Sequence, residues 1–84
     1  MNIEDDEQII ENCISGDTDS FRYLVDKYQL RIINACYKYT KNLDDAEDVA
    51  QEVFLKAYSN LDKFKFDSKF YSWIYRIAIN TSLN

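Results

Sequence analysis

The chain has 84 residues, formal net charge −5, no proline or histidine, one glycine (Gly16) and 15% aromatic residues. That length allows one small domain, close to the size at which a single core suffices, and the scarcity of breakers favours unbroken helices. Without histidine, a glycine-rich phosphate loop or metal-ligand spacing, the composition argues against an enzyme, a metal site or a bound cofactor.

The first predicted helix, about residues 5–15, sets Ile9, Ile10, Cys13 and Ile14 along one stripe. Residues 1–20 hold seven acids, Glu4 to Asp19, and no cation; those in the first turn favour the helix dipole. Ser15 and Gly16 end the segment, the glycine being suited to a left-handed stop. The second helix, about 18–41, follows "GDTDS", with Asp17 or Thr18 as cap. Its core stripe is Phe21, Leu24, Val25, Tyr28, Ile32, Ala35, Cys36 and Tyr39, and Lys38 and Lys41 suit its C-terminal end. Residues 21–42 carry five cations against Asp26 alone.

The third helix, about 44–60, has Asn42 or Asp44 as cap and a core stripe of Ala46, Val49, Ala50, Val53, Ala57 and Leu61. Five acids face one cation, Lys56, over residues 43–60. The side away from the core holds Asp48, Gln51, Glu52 and Leu55 at i, i+3, i+4 and i+7, and Glu52 can pair with Lys56. A loop over about 60–70 leads to the last helix, about 69–83, with Asp67 or Ser68 as cap. Phe70, Trp73, Ile74, Ile77 and Ala78 give that helix an inward face, and Tyr71, Tyr75, Arg76 and Asn80 fall on its flanks or outside.

These elements predict an all-α fold, a compact bundle of four helices with a long second helix and no sheet. Cys13 and Cys36 fall in apolar registers without a C-x-x-C spacing, which predicts reduced core thiols. No signal-peptide pattern and no apolar run near the ~20 residues of a membrane span occurs, so a cytoplasmic protein without membrane contact is expected.

The stretch "KFKFDSKFYSWIYRIAINT" sets Lys63, Lys65, Lys69 and Arg76 among Phe64, Phe66, Phe70, Tyr71, Trp73 and Tyr75. Such an end is either an aromatic core ringed by lysines or a surface for a polyanion with flat units, such as an unpaired DNA strand.

"DAEDVAQEVFLKAY" followed by "LDKF" and "FYSWIYRIAINT" resembles region 2 of bacterial sigma-70-family sigma factors, in particular the extracytoplasmic-function (ECF) group. "GDTDSFRYLVDKYQLRI" matches the same pattern upstream. The resemblance implies a module that binds RNA polymerase core and recognises and helps melt the promoter −10 element. Docking on the clamp coiled coil of the largest polymerase subunit would fall to Asp48, Gln51, Glu52, Phe54, Leu55 and Tyr58. Capture of a base flipped from the non-template strand would fall to Phe64, Tyr75, Ile77 and Asn80. Lys56, Lys63, Lys65, Lys69 and Arg76 would follow the single-stranded DNA backbone.

Phe66 stands where many members of the family carry glycine. An anti-sigma factor is a further implied partner. The 84 residues hold no second domain of the kind that reads the −35 element, so a module of a longer protein is expected. The competing reading is a small helical protein–protein module, either an adaptor or a sigma-like domain whose main contact is an anti-sigma factor, with no DNA role of its own.

Overall fold

The computed structural model describes residues 5–84. Helix α1 spans Asp6–Ile14, α2 Phe21–Thr40, α3 Leu43–Ser59 and α4 Phe70–Leu83; 3-10 turns at Thr18–Ser20 and Leu61–Lys63 precede α2 and follow α3. Glu4, counted among the acids of the first block, lies outside the described residues. Among the described residues there is no strand, and no helix is long and apolar enough to cross a membrane.

Local chemistry explains the boundaries. Asp5 caps α1 by accepting the Gln8 N–H at 2.9 Å, and Gly16 ends the segment at φ 118°, a conformation open to glycine. The expected cap on α2 is replaced by the 3-10 turn: the Asp17 carboxylate takes the Ser20 hydroxyl at 2.9 Å and no side chain caps the helix. Lys41 closes α2 in the left-handed region at φ 59°, its N–H reaching the Tyr37 carbonyl at 3.0 Å. Asn42 then caps α3 by accepting the Asp45 N–H at 2.9 Å. At α4 the cap position is Lys69, and neither Asp67 nor Ser68 supplies the expected bond.

Helices α2, α3 and α4 pack on one another, and α1 covers one side of α2. Ile10, Leu24, Ile32, Val53 and Ile74 are fully buried where these helices meet. Two expected core positions lie at the ends of their stripes and face water: Ile14, 49% exposed, and Tyr39, 43% exposed. Both occupy the final turns of their helices. Cys13 and Cys36 are free and buried. Burial, with Asp17 nearby, pushes the Cys13 thiol up; burial also raises the Cys36 thiol, against a smaller opposing effect from the neighbouring Ser82 hydroxyl.

Candidate nucleic-acid and protein interfaces

The chain leaves α3 through the turn at Leu61–Lys63, whose Leu61 is buried, and becomes extended at Phe64. The Phe64 N–H still reaches the Leu61 carbonyl at 3.1 Å. From residue 65 to residue 68 no hydrogen bond is made among the described residues, so side-chain packing alone holds that segment. Its lysines, Lys63, Lys65 and Lys69, are exposed.

Phe64, expected as a stacking surface, is 5% exposed. Its ring centroid lies 4.9 Å from Phe66, 5.3 Å from Trp73 and 6.1 Å from Phe70. Directly after a turn at the end of the bundle, an apolar ring gains more from these neighbours than from water. Phe70 and Ile74 are core, as their spacing predicts, while Trp73 packs half-buried against them. Phe66 has φ 60°, the left-handed region that costs a residue bearing a Cβ about 1–2 kcal/mol.

Of the four residues expected around an extracted base, Phe64 borders a groove beside the start of α4 that Tyr75, Ile77 and Asn80 do not line. Tyr75 and Ile77 are two apart on α4, and such positions do not share a helix face. Tyr75 lies on the flank of Tyr71, 5.7 Å away, and Tyr71 stacks on Tyr28 of α2 at 5.3 Å. Ile77 packs against the core on the other flank. Helical periodicity instead groups Tyr75, Arg76, Ile79 and Asn80 on the outer side, with Arg76 and Asn80 exposed. Lys56 is tethered rather than free: its ammonium lies 3.3 Å from Glu52 and donates to Thr81 Oγ1 at 3.3 Å.

One cluster escaped the sequence reading. Asp6 at the start of α1 accepts Lys27 Nζ at 2.9 Å and the hydroxyl of Tyr28. The Arg31 guanidinium sits 5.1 Å from the Tyr71 ring centroid and 5.9 Å from that of Tyr28. These groups, with Phe64 and Lys69, border a groove of about 570 Å³ between α2 and the start of α4. The Asp6 hydrogen bond, outweighing partial burial, raises the Lys27 ammonium above its usual range. Burial, then the bond to Asp6, raises the Tyr28 phenol. Tyr28 and Arg31 share a helix side at i and i+3, but nothing local announces that Tyr71 meets them from α4.

The second surface is a groove of about 580 Å³ between α2 and α3. Gln51, Leu55 and Tyr58 line it from α3, and Val25 and Gln29 from α2. Leu55 is 67% exposed and Tyr58 41%, whereas Phe54 is 7% exposed and forms the floor. Phe54 is therefore a core residue that reaches the groove only as its floor. Asp48 and Glu52 do not join this groove; they border a separate depression with Lys56, Thr81 and Ser82 beside α4. The α2 half of the groove was missed, although Phe21, Val25 and Gln29 recur four apart.

The model of the family described as Sigma-70 region 2 matches residues 24–84. The chain belongs to that family. Over 79 residues it is 43% identical to the ECF RNA polymerase sigma-E factor of Escherichia coli (strain K12), covering 94% of this chain and 41% of that protein. The chain spans 40–42% of the length of curated relatives that it matches. Among solved structures, it superposes with a TM-score of 0.91 and 39% identity on an engineered region 2 of sigmaE in complex with GTAAAA, covering 100% of this chain and 88% of that one. CnrH, solved in complex with the cytosolic domain of CnrY, gives a TM-score of 0.83 at 28% identity, covering 93% of this chain and 51% of that one. The four-helix, all-α architecture expected of a sigma region 2 is the one observed.

Proposed function

We propose that this chain is the module of an ECF sigma factor that binds RNA polymerase core and recognises the promoter −10 element as an unpaired strand. The observation that carries the reading is its full-length likeness to a region 2 solved with GTAAAA. The geometry adds an exposed Arg76–Asn80 face on α4, adjoined by a loop whose three lysines point to water.

Asn80 offers both a donor and an acceptor to a base edge, and Tyr75 a flat flank. Arg76, Lys63, Lys65 and Lys69 neutralise phosphates without reading sequence. Base stacking contributes about 1–3 kcal/mol per base in single-strand binders, against a few kcal/mol to unstack one from a duplex. The module therefore holds an open strand and leaves most of the melting to the polymerase. With net charge −5 it binds duplex DNA weakly.

The α2–α3 groove is the docking surface for the polymerase clamp coiled coil. Leu55 and Tyr58 are its apolar anchors, Gln51 supplies hydrogen bonds, and Asp48 and Glu52 act from the rim. An anti-sigma factor is a second partner of the same domain, a reading favoured by the likeness to CnrH solved with CnrY.

Fluorescence anisotropy with a labelled GTAAAA strand and a scrambled strand tests the DNA role. The native chain prefers GTAAAA, Asn80→Ala erodes that preference, and Arg76→Ala weakens both strands while reducing the salt slope by about 0.7. Equal affinity of the native chain for the two strands refutes it. For the protein face, clamp coiled coil is retained by the native chain and lost by the Gln51→Ala, Leu55→Ala pair; full retention by that pair removes the groove from the interface.

A further inference from the structure

Phe64 presents a contradiction. It lies in the loop to which the family resemblance assigns base capture, yet three aromatic rings cover it. Two of them, Phe70 and Trp73, belong to α4 and pack into the bundle. The third, Phe66, lies on the segment that makes no hydrogen bonds, is 36% exposed and meets Phe64 edge-on at 62°.

We propose that the Phe66 ring is a built-in stand-in for the extruded base: it covers Phe64 from the loop side, away from the groove beside α2, in the free protein and leaves when a nucleobase enters. This rests on the DNA-binding reading above and deepens it by naming the residue that gates the pocket.

Of the three covers, only Phe66 can move without opening a helix. Its φ of 60° is a backbone conformation that a residue bearing a Cβ adopts at a cost, so the segment that carries the ring is the least firmly held of the three. A flat base then takes the place of the Phe66 ring against Phe64, and the exposed Lys65 and Lys69, flanking Phe66 along the chain, are placed to meet its phosphates. Since the open form is only a fraction of the free protein, apparent affinity is lowered by that fraction.

The test measures binding of a GTAAAA strand, and of the same strand carrying an abasic site at each position in turn, to the native chain, Phe66→Ala, Phe66→Gly and Phe66→Tyr. One edge-to-face ring contact corresponds to roughly 2- to 10-fold in an equilibrium constant, so Phe66→Ala binds tighter by that factor. The Gly variant, which suits φ 60°, behaves alike and guards against an effect of folding alone, while Phe66→Tyr, which keeps the ring, matches the native chain. The gain disappears for the strand whose abasic site falls at the captured position.

If Asn80→Ala weakens binding but Phe66→Ala and Phe66→Gly leave it unchanged or weaker, the stand-in is wrong and the DNA reading survives. A gain that persists at every abasic position overturns the proposal, because no base then competes with the ring. Absence of GTAAAA preference in the native chain and every variant defeats the DNA reading itself, and the proposal with it.

Discussion

Replacing Phe64 by alanine separates a core ring from a ligand-only ring. The side chain is 5% exposed, and a phenylalanine buries about 200 Å², which at about 25 cal/mol per Å² gives an upper bound near 5 kcal/mol. Truncations of buried Phe to Ala cost about 3–5 kcal/mol, the cavity left behind included. Collapse of Phe66 and Trp73 into the vacated space favours the lower half of that range. At about 0.05–0.15 kcal/mol per residue the whole domain has only roughly 4–12 kcal/mol to lose.

Phe64→Ala is therefore expected to shift the urea midpoint far down, read by circular dichroism, and to leave a large unfolded fraction at 37 °C. A loss below about 1 kcal/mol with an unchanged m-value would refute the packing argument, since surface substitutions rarely exceed about 0.5 kcal/mol. The consequence for function is practical: lost DNA binding in that variant reports unfolding, and Asn80 and Arg76, both exposed, are the cleaner probes.

Three further outcomes follow from local chemistry. The folded protein holds Tyr28 neutral to higher pH than the unfolded chain, so that increment of stability is present below the ordinary phenol range of about pH 10 and is lost as pH rises through the raised value; urea titrations of the native chain fall more steeply there than those of Tyr28→Phe. Asn42→Ala removes the α3 cap and lowers stability by about 1 kcal/mol, whereas Asn42→Asp restores most of it in the same denaturation assay. Both thiols, raised by burial, react with a thiol reagent at neutral pH only as fast as the protein opens, and urea abolishes the protection.

Features that depend on neighbours in the chain were readable before any coordinates. A cap at Asn42 or Asp44, which the structure resolves to Asn42, Gly16 as stop and the 3.6-residue stripes of α2, α3 and α4 follow from backbone hydrogen bonding and amphipathicity, which act over a few residues. The separation of Tyr75 from Ile77 was equally legible, because positions two apart on a helix point to different faces. Asp67 and Ser68 looked like caps by residue type alone; the ring packing of the loop placed Lys69 at that position instead.

What only the tertiary structure decided are the pairings between distant segments. Residue type gives Phe64 equal licence to stack on a base or to fill a core; the approach of Phe70 and Trp73 from α4 settles it in the free protein. The α3 residues expected to dock on polymerase divide between two depressions because α2 lies along one side of the helix and α4 along the other. Arg31 meets Tyr71 for the same reason: burial of apolar surface is non-directional, and which faces meet is determined by how four helices share a single core.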